Sequence, residues 1–196
     1  MKRRGKKRSR RRGRGSGEEA KVWFYRGVAH YGRGELEAAI DDYSRAIGLD
    51  PGFASAYGYR GIAYYSQGRY AQAIADYSCA IELMPDNAVM YYSRGAAFAA
   101  LKERREALAD YSRAIKLAPD DPNCYCNRGN LYRSEGRFWD AVADYSRAIE
   151  LAPDNASIYN NRGSAYDELG RVEEAIADYS RAIELDAEHG PAYYNR

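Results

Sequence analysis

Few residues in this sequence are of types that carry out covalent chemistry, and their spacing does not bring the usual partners together. There are two histidines, His30 and His189, and three cysteines, Cys79, Cys124 and Cys126. No HExxH run, Walker-type phosphate loop or paired CxxC is present. Cys124 and Cys126 lie two apart, which puts their thiols on different sides of a helix with no histidine nearby, a poor start for a metal site. The expectation is a protein that is not an enzyme and holds no metal or cofactor. What does recur is recognition chemistry. Arg and Asp can form charge-assisted, two-pronged hydrogen bonds. Tyrosine offers a large contact area with few rotatable bonds, and asparagine offers both a donor and an acceptor.

These residues are positioned by a repeat. Pro51, Pro85, Pro119 and Pro153 are spaced 34 apart, with Ala187 in the fifth place. This registers five frames, 20–53, 54–87, 88–121, 122–155 and 156–189, and a sixth that starts at Gly190 and ends after seven residues. Counting slots within a frame, slot 8 is Gly in all five (27, 61, 95, 129, 163) and slot 24 is Tyr (43, 77, 111, 145, 179). Slot 20 is always Ala, and so is slot 27. Slot 4 carries Trp23, Tyr57, Tyr91, Tyr125 and Tyr159. Aromatics at slots 4 and 11, where His30 reads as a packing residue, share one helical face. Slots 20, 21, 24, 27 and 28 form an apolar stripe, as in Ile40, Tyr43, Ala46 and Ile47. A turn centred on Gly34, Gly68, Gly136 or Gly170 separates the two halves, and Pro ends the frame. Each frame therefore predicts two antiparallel helices. A glycine inside a helix costs about 1 kcal/mol against Ala, so slot 8 implies a close approach, with the small slot 20 Ala as the expected partner.

This pattern of aromatic, Gly, aromatic, Ala, aromatic, Ala and Pro resembles the tetratricopeptide repeat. The resemblance implies an all-α fold, a right-handed α-solenoid of stacked antiparallel helix pairs whose task is to hold other proteins. One ladder departs from the family, which more often has Leu at slot 7. Here slot 7 is Arg (26, 60, 94, 128, 162, and 196 in the sixth frame) and slot 23 is Asp (42, 76, 110, 144, 178). The expectation is a row of Arg–Asp pairs fixing register, either across each hairpin or between neighbouring frames. The third frame also differs, with Lys102-Glu103-Arg104-Arg105 at its hairpin tip.

In such a fold the first helix of each frame lines the concave face. Tyr25, Tyr31, Tyr59, Tyr65 and Tyr92 fall on its slots in the first three frames. The next two frames offer Asn127, Asn130, Arg133, Asn160, Asn161, Asp167 and Glu168. The expected site is a peptide groove with an aromatic half and a polar half. The carboxylate clamp of chaperone-binding relatives keeps the asparagines at Asn130 and Asn161 but lacks its cations, since Cys126, Pro191 and Asn195 occupy those slots.

The formal net charge of +2 hides an asymmetry, because ten of the 30 Lys and Arg lie in 1–17, where there is no acid. The rest of the chain sets 20 cations against 28 Asp and Glu. The arm 1–17 is expected to be disordered. Its Arg3, Arg4, Lys6, Lys7, Arg8, Arg10, Arg11 and Arg12 suggest an alternative role, a nucleic-acid-associated adaptor in which the arm binds RNA or DNA and the repeats recruit protein. No run is apolar for the roughly 18 residues of a membrane span. The cysteine pattern fits a reducing compartment, with cytoplasm the expected location, or the nucleus in cells that have one. The unfinished sixth frame leaves two expectations, a piece of a longer array or end-to-end self-association. It also suggests poor cover for Ile176, Tyr179 and Ile183.

Overall fold

The computed structural model describes residues 4–186, with side chains from Ser16 onward. Ten helices make up the described residues: α1 (Arg4–Gly32), α2 (Leu36–Leu49), α3 (Ala54–Ser66), α4 (Tyr70–Leu83), α5 (Ala88–Ala100), α6 (Arg104–Leu117), α7 (Pro122–Ser134), α8 (Phe138–Leu151), α9 (Ala156–Glu168) and α10 (Val172–Leu185). Each 34-residue frame holds two of them. None of the described helices is long and apolar enough to cross a membrane. The sixth frame, with Ala187, His189, Pro191, Tyr194, Asn195 and Arg196, lies outside the described residues.

The arm 1–17, expected to be disordered, falls mostly on the start of α1, whose backbone is helical from Arg4. Arg and Lys have helix propensities close to that of Ala, and extending an existing helix costs less than starting one. Side chains up to Gly15 lie outside the described residues.

The helices form two compact units, Met1–Leu101 and Lys102–Arg196. In the first, α1 pairs with α2 and α3 with α4, while α2 packs on α3 and α4 on α5. In the second, α6 packs on α7, α7 pairs with α8, α8 packs on α9, and α9 pairs with α10. The hairpin turns bend through Gly34, Gly68, Gly136 and Gly170, all at positive φ between 68° and 76°. Lys102 takes the same conformation at φ 63°, which costs a non-glycine residue about 1–2 kcal/mol. Asn87, Asp121 and Asn155 cap α5, α7 and α9 by accepting hydrogen bonds from backbone amides in their first turns.

The core confirms slot 8 as a close approach but changes its partner. A Cβ on Gly61 would lie 2.7 Å from Cε1 of Tyr77, and one on Gly129 2.9 Å from Cε1 of Tyr145. Gly27 and Gly163 meet Tyr43 and Tyr179 in the same way. The neighbour is therefore the slot 24 ring, not the slot 20 alanine: the wide face of a tyrosine fills the notch that glycine leaves. The slot 20 alanines are buried as well, as small spacers within the same core. Tyr179, expected to be poorly covered, is 3% exposed for this reason, whereas Ile176 is 43% exposed.

Gly61→Ala is a direct check. Ala adds about 1 kcal/mol of helix propensity, but overpacking against a rigid ring costs about 1–3 kcal/mol. Urea unfolding should show a net loss of stability, and a gain would mean that the ring yields freely.

Candidate binding faces

The Arg and Asp ladder closes across the hairpin. Arg60 on α3 donates from Nε and Nη2 to the two carboxylate oxygens of Asp76 on α4, both at 2.7 Å. Arg128 and Asp144 repeat this at 2.7 Å, and Arg162 and Asp178 at 2.8 Å. Arg26 grips Asp42 with the same two nitrogens. The aspartates are buried, 2–6% exposed. The Asp42 carboxyl is held below its ordinary range, first by the hydrogen bond from Arg26 and then by nearby positive charge, against the opposing effect of burial. The guanidinia of Arg60, Arg94 and Arg162 also lie between the aromatics of slots 4 and 11, as Arg162 does 5.8 Å from both Tyr159 and Tyr166.

The third prong links neighbouring repeats through a residue that sequence reasoning missed. Nη1 of Arg60 donates to Ser44 Oγ at 2.9 Å, and Arg94, Arg128 and Arg162 donate to Ser78, Ser112 and Ser146 at 3.0 Å. All four serines sit at slot 25 of the preceding frame. Ser44 and Ser78 pass their own protons to the carbonyls of Ile40 and Ile74, which leaves each Oγ free to accept. The invariance of slot 25 was the available signal.

His30 is not a simple packing residue. Its ring contacts the carboxylate of Glu35 and a guanidinium nitrogen of Arg33, and lies 3.7 Å from Asp42. Arg33, then His30, hold the Glu35 carboxyl at about 2. A polar latch thus closes the turn between α1 and α2. Cys124 is buried, its thiol pointing to Asp121, and burial pushes it up to about 12, so it is protonated and unreactive at neutral pH.

In the first unit the predicted tyrosines separate into exposed and engaged. Tyr25, Tyr59 and Tyr65 are 67%, 40% and 36% exposed, whereas the slot 24 tyrosines are almost fully buried. The exposed rings stand on other rings. Phe24 supports the edges of Tyr25 at 5.3 Å and Tyr59 at 5.1 Å, and Tyr65 packs edge-on to Tyr70 at 5.2 Å. Tyr31 hydrogen-bonds Ser66 at 3.1 Å and so ties α1 to α3. Tyr92 is half-buried on α5. Beside Tyr59 a cavity of about 190 Å³ opens, with Met84, Val89 and Met90 in its wall.

In the second unit the polar residues Asn127, Asn130, Arg133, Asn160 and Asn161 are half-buried on α7 and α9. Tyr145 donates its hydroxyl to Asn130 Oδ1 at 2.7 Å, and Arg133 donates to Ser164 Oγ at 2.8 Å. Burial pushes Tyr145 up to about 12, with the Arg133 guanidinium pulling it part of the way back. In the first unit Val28 stands where Asn130 does, and the buried Tyr43 hydroxyl has no partner. The arm residues Arg3, Arg4, Lys6, Lys7, Arg8, Arg10, Arg11 and Arg12 have side chains outside the described residues.

A family profile described as a TPR repeat matches residues 27–68, 61–102, 104–134 and 129–170, and one described as the tetratricopeptide repeat matches 156–189. No curated protein matches the chain. Among solved structures, a crystal structure of MamA is 26% identical with a TM-score of 0.81, covering 88% of this chain and 94% of that one. MamA from Desulfovibrio magneticus is 20% identical, with a TM-score of 0.83, covering 89% and 98%. YrrB, described as a TPR protein with an unusual peptide-binding site, is 24% identical with a TM-score of 0.77, covering 88% and 89%. The last two show a shared fold.

The ladder leads to a paired expectation. Arg60→Leu strands the buried Asp76 carboxylate and should cost about 3–5 kcal/mol in denaturant unfolding, while Arg60→Leu with Asp76→Leu should recover most of that loss. A single variant as stable as the parent would remove the pair from the fold's requirements.

Proposed function

The chain belongs to the tetratricopeptide-repeat family, with its all-α solenoid fold, and from that premise we propose that it is a protein-interaction scaffold. Its first-helix faces capture an extended or helical segment of a partner protein. The observation that carries this reading is the contrast among tyrosines. The slot 24 tyrosines are consumed by the core, yet Tyr25, Tyr59 and Tyr65 expose their rings on a rigid aromatic base. Exposed tyrosines anchored from below lose little freedom when a partner covers them, as suits interface hot spots. The cavity beside Tyr59, about 190 Å³, has the size for one apolar side chain of that segment. On this reading the second unit adds a polar stretch, where the Asn130 oxygen is held by Tyr145 and its NH2 is the group offered to a peptide backbone.

The test uses peptides selected on the protein itself. Decapeptides taken from a random phage-displayed library on the wild-type chain should bind the Tyr59→Ala/Tyr65→Ala variant at least about tenfold more weakly, because hot-spot truncation costs about 2 kcal/mol or more. Thermal unfolding should change little, since both side chains are substantially exposed. Undiminished binding would place capture on another face.

A further inference from the structure

Trp139 stands where the repeat needs no ring. Its slot, 18, holds Glu37, Ala71, Arg105 and Glu173 in the other frames, and the side chain is 58% exposed on α8. Trp is among the residues with the most apolar area to gain from burial, so an open indole calls for a reason. The ring contact it does make is with a cation: the Arg171 guanidinium, from the next hairpin turn, lies 5.8 Å from the ring. That contact joins two turns, 135–140 and 167–174, which together hold six Asp and Glu against two Arg. Both arginines are already matched, Arg137 with Asp140 at 2.8 Å and Arg171 with Glu174. Glu168 and Glu173 are exposed, and among the described residues no cation stands within ion-pair distance of either.

We propose that this turn surface, with Trp139 as its aromatic anchor, docks the basic arm 1–17 of a second copy of the chain. The two sides are chemically complementary. The arm carries ten Lys and Arg with no acid, and the surface supplies unmatched carboxylates beside an open indole. A cation of the arm settles over the Trp139 ring, as Arg171 already does, while others meet Glu168 and Glu173. Opposite charge draws the arm in, and the ring gives it a fixed point. Trp139 sits on a second helix of its frame, so this surface is distinct from the first-helix faces and does not depend on the capture reading. Arm and turns are different parts of the chain, so the contact is heterologous: each copy uses its arm on one neighbour and offers its turns to another.

Sedimentation velocity on the full chain, freed of nucleic acid, tests this across a concentration series at about 50 mM and about 500 mM salt, between which the screening length shrinks about threefold. The mass should rise with concentration at low salt and return to that of the monomer at high salt. A fluorescein-labelled peptide of residues 1–17 should bind the full chain, and should bind Trp139→Ala about fivefold more weakly, the worth of one exposed cation–π contact. Glu168→Gln with Glu173→Gln should also weaken it and flatten its salt dependence. Arg10→Gln, Arg11→Gln and Arg12→Gln together should reduce self-association yet leave binding of the labelled peptide undiminished, because the turn surface is unchanged. Thermal unfolding of the turn variants should match the parent, since these side chains are exposed. A monomer at every concentration would overturn the proposal, including the case in which each chain's own arm covers its own turns. Association or peptide binding that survives Trp139→Ala at full strength would overturn it too.

Discussion

Much of this structure depends on the slot 7 arginine. Its guanidinium has two jobs that a leucine in its place could not perform. Two nitrogens lock onto the buried aspartate across the hairpin, and the third reaches a serine on the preceding repeat. One side chain thereby sets both the register within a helix pair and the register between pairs. Buried charge is affordable only when it is matched, and here Asp42, Asp76, Asp144 and Asp178 each meet a fork while aromatic rings flank the guanidinium. With the arginine fixed, the adjacent glycine faces the slot 24 ring, and the slot 6 tyrosines Tyr25 and Tyr59 and the slot 12 Tyr65 are left exposed. The binding faces are therefore defined by what the framework leaves over.

The two units use that remainder differently. The first presents aromatic rings with almost no charge among them. The second presents amides and one arginine whose hydrogen-bond directions are already set by Tyr145 and Ser164. Tyr43 and Tyr145 show how small the difference is: the same buried hydroxyl lacks a partner beside Val28 and finds one beside Asn130.

The helix pairs, their turns and the apolar stripes could be read from the 34-residue period, because periodicity reports which faces are buried. It does not report which residues meet. The Gly61–Tyr77 approach was assigned to an alanine, since small residues suggest one another while ring geometry is invisible in sequence. The Arg–Asp pairing was legible, but its choice of hairpin over neighbour depended on side-chain reach, and the Ser44 prong depended on the serine's proton going to a backbone carbonyl. His30 read as an aromatic substitute because its slot usually holds a ring, and its link to Glu35 comes from the loop path after Gly34. For the binding faces, the exposure of Tyr25, Tyr59 and Tyr65 followed once the framework tyrosines were set aside. The engagement of Tyr31 with Ser66 required coordinates.

The central claim is that the slot 7 arginine couples each repeat to the one before it. The most direct measurement is a double-mutant cycle between Arg162 and Ser146, using Arg162→Gln, Ser146→Ala and the combination in denaturant unfolding. The account predicts a coupling energy of about 1 kcal/mol or more, the range for charge-assisted hydrogen bonds between contacting residues. Additive losses, with no coupling, would contradict it.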